Sequence, residues 1–173
     1  RLGVDKWLKI NEYGVFRGEE RVTGRTERQV YRSVGLRYVE PELREDRGEI
    51  DAARRGRLPT LVDLDDVRGD LHVHTTASDG RSTVEEMARA AEALGYDYLA
   101  VTDHTRAARI AHGIDARRMR RHLRHVEAVD GKVRGIRLLR SAEVDILPDG
   151  KLDLPADLLD ELDLVVGAVH SGF

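Results

Sequence analysis

Apolar positions change their period near residue 69. Ahead of that point, Trp7-Leu8-Lys9-Ile10, Asn11-Glu12-Tyr13-Gly14 and Val15-Phe16-Arg17 read as strand, turn and strand. Thr26-Glu27-Arg28-Gln29 has the capping-box pattern, with Thr at the N-cap and Gln three residues on. It predicts a short helix with Val30, Tyr31 and Val34 as its apolar side and Gly35 as its stop. Pro41-Glu42-Leu43-Arg44-Glu45-Asp46 follows, then a polar helical stretch from about Glu49 to Arg55. So few apolar residues do not bury a core alone. Residues 1–46 are therefore expected to be the end of a preceding α+β domain and 47–67 a linker.

Beyond Gly69, short apolar runs alternate with helical patterns. Asp70 to Thr75 predicts a first strand, and Ser82-Thr83-Val84-Glu85 a second capping box. Val84, Met87, Ala88, Ala91 and Leu94 then recur at helical spacing. Tyr98 to Thr102 predicts a short buried strand. Asp115 can cap a helix from Ala116 to about Val129, with Met119, Leu123 and Val126 on its inner face. Ile136 to Ala142, a short helix from Ala156 to Leu162, and Leu164 to Val169 complete the series. Strands separated by helices call for a parallel sheet. The expected fold is α/β, the first half of a barrel or of a doubly wound sheet, over residues 68–173.

Each predicted strand finishes in residues able to hold a metal. His72 and His74 stand two apart, so a strand aims both from one face. Asp103-His104 closes the second strand, Glu143 and Asp145 follow the third, and His170 ends the fourth. In parallel α/β folds the C-terminal strand ends converge, so residues far apart in sequence meet in one pocket. One histidine of this kind is ordinarily a satisfied core residue; four joined by carboxylates point to a metal site. His122 and His125 lie on an Arg-rich helix and read as a solvated face, and His112 as a loop residue. Arg106 and Arg109, just after His104, are candidates for phosphate contact because guanidinium binds phosphate bidentately.

Composition narrows the chemistry. The chain has 173 residues and no cysteine, which excludes disulfides and thiolate ligands and leaves a His, Asp and Glu set suited to Zn, Mn, Fe or Mg. No stretch approaches the ~20 apolar residues of a membrane span and no signal peptide opens it, so a cytoplasmic protein is expected. Net charge is −3. Its distribution is uneven: residues 105–140 carry 11 Lys and Arg against 3 Asp and Glu, and residues 141–173 one Lys against 8 Asp and Glu. A basic segment beside an acidic, ligand-rich one suits an anionic substrate delivered to cations, although solvated helix faces give the same counts. The Arg117–Arg124 segment could touch a DNA backbone without base specificity.

His72-Val73-His74-Thr75, Thr102-Asp103-His104, Ala142-Glu143-Val144-Asp145 and Val169-His170-Ser171 resemble the successive motifs of the polymerase and histidinol phosphatase (PHP) domain, most closely that of bacterial family X DNA polymerases. Asn11-Glu12-Tyr13-Gly14-Val15-Phe16 and Pro41-Glu42-Leu43-Arg44-Glu45 resemble the end of the polymerase thumb that precedes it. The resemblance implies a distorted (β/α)7 barrel with up to three divalent metals, usually Zn or Mn. It places His72 and His74 on a first metal, Glu143 bridging first and second, His170 on the second, and Asp79 with His104 on a third. Asp79 is equally readable as a turn residue before Gly80. Asp103 is expected to orient a ligand, and Glu143 and Asp103 are the expected catalytic carboxylates; Asp145 is either another orienting acid or a strand-end acid.

The family pattern has further ligands beyond Phe173, a His and a later Asp-x-His, so the chain reads as part of a longer protein with incomplete metal coordination and exposed strand edges. The implied activity is Mn-dependent 3′–5′ exonuclease action with processing of blocked 3′ ends or abasic sites, on gapped or damaged DNA, beside a polymerase core in the same chain and at the nucleoid. A phosphomonoesterase of the histidinol-phosphatase type and a non-catalytic structural PHP module are the competing readings.

Overall fold

The change of period near residue 69 corresponds to a change of architecture. The computed structural model describes residues 2–170 and divides into two compact units between Leu61 and Val62. In the first unit, β1 (Lys9–Asn11), β2 (Gly14–Arg17) and β3 (Glu20–Thr23) form an antiparallel sheet in that order. The third strand is absent from the hydrophobic pattern for a physical reason. Backbone pairs Phe16↔Arg21 and Arg17↔Glu20 hold it, and Val22, its one large apolar side chain, is exposed.

Helix α1 (Glu27–Ser33) is capped by Thr26, whose hydroxyl accepts from the Gln29 amide at 3.3 Å. Gln29 Oε1 accepts from the Arg25 amide at 2.8 Å, one residue upstream of the reciprocal bond of a full capping box. Helix α2 (Glu49–Arg55) falls in the segment expected as a linker, and it packs Ala53 into a small core with Leu36 and Val39. Outside that core, Arg44 grips Glu27 through both guanidinium nitrogens at 3.1 and 2.7 Å, and the Tyr38 hydroxyl donates to the same carboxylate at 2.8 Å.

The second unit holds β4 (Gly69–Val73), α3 (Val84–Ala93), β5 (Tyr98–Val101), α4 (Ala116–Asp130), β6 (Arg137–Asp145), α5 (Ala156–Leu159) and β7 (Leu164–Ala168). Its strands form a parallel sheet in the order β4-β5-β6-β7, curled as a half-barrel. The cap of α3 lies one residue later than the motif predicts: Thr83 accepts from the Glu86 amide, and Glu86 reaches back to the Thr83 amide. Asp115 caps α4 by accepting from the Arg118 amide at 2.8 Å.

Strand β6 organises the sheet. It runs three residues past its expected end, pairing with β5 through Arg137–Arg140 and with β7 through Ser141–Asp145. This stagger is what curling a sheet toward a barrel requires. Alternation along the strand then separates two tasks. Ala142 and Val144 pack with Met119 and Leu123 of α4 and Leu158 of α5, while Glu143 and Asp145 turn to the histidines described below. A second core cluster joins Val84, Ala88 and Ala91 of α3 to Leu99 and Val101 of β5 and Val126 and Val129 of α4.

Candidate metal centre

Glu143 is the centre of the site. Its carboxylate is 7% exposed and meets four imidazoles from three other strand ends. His72 Nε2, His74 Nε2 and His104 Nδ1 lie 3.1, 3.4 and 3.2 Å from Oε2. His170 Nε2 lies 3.2 Å from Oε1. The rings crowd one another, with centroids 4.4 Å apart for His74 and His104 and 5.2 Å for His104 and His170. Strand alternation alone does not aim His72. A bulge between Asp70 and Val73 breaks the register of β4 against β5, and the Asp70 carboxylate takes the His72 amide at 2.9 Å. Bulges of this kind re-aim side chains beside functional sites.

Asp79 reaches the cluster through a forced turn. A Cβ on Gly80 would stand 2.4 Å from the His74 carbonyl oxygen, so only glycine lets the chain double back here. The turn closes with the Gly80 amide donating to Thr75 O at 2.9 Å. It carries Asp79 to within 3.7 Å of His74 Nδ1 and 3.8 Å of His104 Nε2. The turn before Gly80 is thus also what brings Asp79 beside the two histidines.

Three groups have ligand atoms close enough to share an ion: His72, His74 and Glu143; His74, Asp79 and His104; His104, Glu143 and His170. The chemistry of the donor set fits divalent cations. One carboxylate oxygen has too few lone pairs to satisfy three imidazoles, and the buried Nδ1 atoms of His74 and His104 have no hydrogen-bond partner. Two ligand atoms ~2.1 Å from a tetrahedral ion stand roughly 3.4 Å apart, close to the spacings around Glu143. Burial first, and then the neighbouring His104, lower the His74 pKa and so favour the neutral form that can ligate. Asp145, 2% exposed, accepts from His170 Nδ1 at 3.0 Å in the tautomer that leaves Nε2 facing Glu143.

Asp103 has a different place from the one expected of a catalytic carboxylate. It is fully buried and accepts from the Thr75 amide and hydroxyl at 2.9 and 2.7 Å and the Ser78 amide and hydroxyl at 3.2 and 2.6 Å. Burial pushes its pKa up, but contacts with His122, Ser78 and Thr75 prevail and hold it below the ordinary carboxylate range. Asp103 is thus a positioning residue: it ties down the turn that runs from His74 to Asp79. His122 corrects a second expectation. Rather than facing solvent, it is buried with Nε2 2.8 Å from Asp103 Oδ2. The signal was present in the sequence, because His122 falls in the helical stripe of Met119, Leu123 and Val126. His125 conforms to the solvated reading, half-exposed against Glu85.

The two arginines separate. Arg109 lines a cleft of about 610 Å³ with Asp79, His104 and His170. Arg106 lines another cleft, with Asp115, Arg117 and Asp153, and is not brought to the histidines. On α4, Arg118 reaches the Ala77 carbonyl and Arg120 pairs with Asp157 and Glu161. Arg117, Arg121 and Arg124 are exposed and share one stripe at helical spacing. No helix among the described residues is long and apolar enough to cross a membrane.

Comparison with known proteins agrees with this geometry. Residues 70–173 match the PHP domain family, and residues 1–45 match the DNA polymerase beta thumb. The whole chain is 38% identical, over 175 aligned residues, to the DNA polymerase/3′-5′ exonuclease PolX of Bacillus subtilis, of which it spans 30%. A probable phosphatase of Acetivibrio thermocellus is 35% identical over 103 residues, 58% of this chain and 40% of that protein. A probable phosphatase of a Thermoanaerobacter species is 32% identical over 104 residues, with the same two shares. The chain thus covers well under half the length of each of these relatives. With a segment that matches the DNA polymerase beta thumb ahead of strands that bring four histidines to one glutamate, the chain belongs to the PHP domain family.

Proposed function

We propose that this chain contributes the metal-binding half-barrel of a 3′–5′ exonuclease acting on DNA, with blocked or abasic 3′ ends as further substrates, within a family X polymerase. The observation that carries the reading is Glu143 held by four imidazoles at the C-terminal ends of parallel strands. His72, His74, Asp79, His104, Glu143 and His170 would hold divalent cations, Mn or Zn, up to three in the complete domain. When bound, such cations supply an activated water and neutralise charge on a phosphodiester.

The chain's own residues prepare that chemistry. Neutral imidazoles bind without cancelling the positive charge a phosphate needs. Glu143 offers its two oxygens to different groups, Asp145 keeps His170 Nε2 turned toward it, and Asp103 fixes the turn bearing Asp79. Arg109, which lines the cleft with His104 and His170, would meet a phosphate oxygen; Arg106 lines another cleft. The thumb-like segment and the arginine stripe of α4 suit a nucleic-acid backbone.

The test uses the full-length polypeptide, 5′-labelled DNA and Mn, beside the His72→Ala/His74→Ala variant. Shortening from the 3′ end, lost in the variant together with bound metal, is the expected result. The similarity to probable phosphatases over 58% of the chain supports a second reading, a phosphomonoesterase. It prevails if DNA stays intact while a small phosphomonoester turns over. Bound metal with neither activity would leave a structural module.

A further inference from the structure

The cleft beside the metal centre is lined by two kinds of residue. Asp79, His104 and His170 are polar and belong to the histidine cluster; Ala107, Ala108, Ile110 and Ala111 are apolar and come from one loop, which also carries Arg109. Ile110 is 99% exposed. Single exposed apolar side chains are ordinary on protein surfaces, but this one lines the same cleft as the histidines, beside three alanines.

The segment bearing it is tied down at its base and along its first residues. At its base the Ile114 amide donates to His104 O at 2.9 Å and the Thr105 amide to Glu143 O at 3.0 Å. Two residues into the loop, the Ala107 amide donates to Asp153 Oδ2 at 2.6 Å. A Cβ on Gly113 would stand 1.9 Å from the Thr105 carbonyl oxygen, so the chain closes on itself there by a contact only glycine allows. Covering an isoleucine that stands in water on a tethered loop would be favourable, by roughly 25 cal/mol per Å² of apolar surface removed from water. A nucleotide matches the cleft: its phosphate is anionic, suited to the histidine and Arg109 side, and its base is flat and weakly polar, suited to the alanine and Ile110 side.

Resting on the exonuclease reading, we infer that the 105–114 loop is a base-binding wall, with Ile110 packing on the 3′-terminal nucleobase, and that it ranks base-bearing 3′ ends ahead of abasic ones. The experiment uses the full-length polypeptide with Mn and two 5′-labelled oligonucleotides, one ending in an ordinary nucleotide and one in an abasic tetrahydrofuran residue. Packing of a base on side chains predicts that the ordinary end is removed about tenfold faster. Ile110→Asp, at a position too exposed to disturb folding, is expected to bring that ratio to about one. Calorimetric titration with dAMP and with deoxyribose 5-phosphate gives a readout independent of turnover: wild type prefers dAMP, and the variant loses the preference. A ratio near one in wild type, or a ratio unchanged by Ile110→Asp while DNA is still degraded, overturns the base wall and leaves the exonuclease reading standing. Intact DNA in the presence of phosphomonoester turnover overturns both.

Discussion

Asp103 is the side chain on which the most local structure depends. Its four accepted hydrogen bonds and the His122 contact lie in a fully buried setting. Asp103→Asn keeps the size but turns one acceptor oxygen into a donor facing other donors. A buried donor left unsatisfied costs ~1–3 kcal/mol, to be read from urea unfolding, and loss of an orienting partner lowers metal affinity about 10–100-fold. His122→Ala is expected to shift both quantities in the same direction. Unchanged metal affinity in both variants would reduce the network to packing alone. In the first unit, Arg44, and then Tyr38, hold the Glu27 carboxyl at about 2 against an ordinary 4.5. A carboxyl lowered by folding stabilises the native state above its unfolded pKa, and that contribution disappears as pH falls through the folded one. Acid unfolding of this unit is therefore expected to steepen between about pH 4.5 and 2, and Glu27→Gln to flatten that limb of the titration.

At the scale of elements, the helices and the parallel strands were largely legible because burial on one face imposes a period. The alternating runs after Gly69 gave β4, β5 and β7 to within a residue or two. What periodicity could not show was pairing. The edge strand β3 is held by backbone bonds, and β6 outruns its apolar run because Glu143 and Asp145 are strand residues turned to the site. The motif spacing predicted that His72, His74, His104, Glu143 and His170 meet, and they do. It did not separate Arg109 from Arg106, which lie three residues apart but line different clefts. Nor did it join His122 to Asp103, which no local pattern relates. Two substitutions test the elements. Thr83→Ala removes the reciprocal cap of α3 and is expected to cost about 1 kcal/mol in denaturant unfolding, where Ser82→Ala has little effect. Gly80→Ala forces a Cβ against the His74 carbonyl; displacement of Asp79 should weaken metal binding far more than it lowers the melting temperature.

For the whole molecule, two units with separate cores predict two separable thermal responses. Ions that bind only the native state stabilise it in proportion to the logarithm of their concentration, by ~2.7 kcal/mol at a hundredfold excess over Kd. Scanning calorimetry with Mn or Zn, and then with EDTA, is expected to move the transition of residues 62–173 and leave that of residues 1–61 in place. His72→Ala/His74→Ala should abolish the movement; a shift of both transitions together would contradict the division.

The sequential strand order also sets a timetable. Chains leave the ribosome N-terminus first, and each βα unit adds its ligands to a neighbour already synthesised. The triad His74, Asp79 and His104 is covalently complete while α4 and everything after it is still untranslated; the two groups that share Glu143 are not, and one of them waits for His170. Metal capture would then be staged during biosynthesis, with the first ion able to staple β4 to β5 before β6 has emerged.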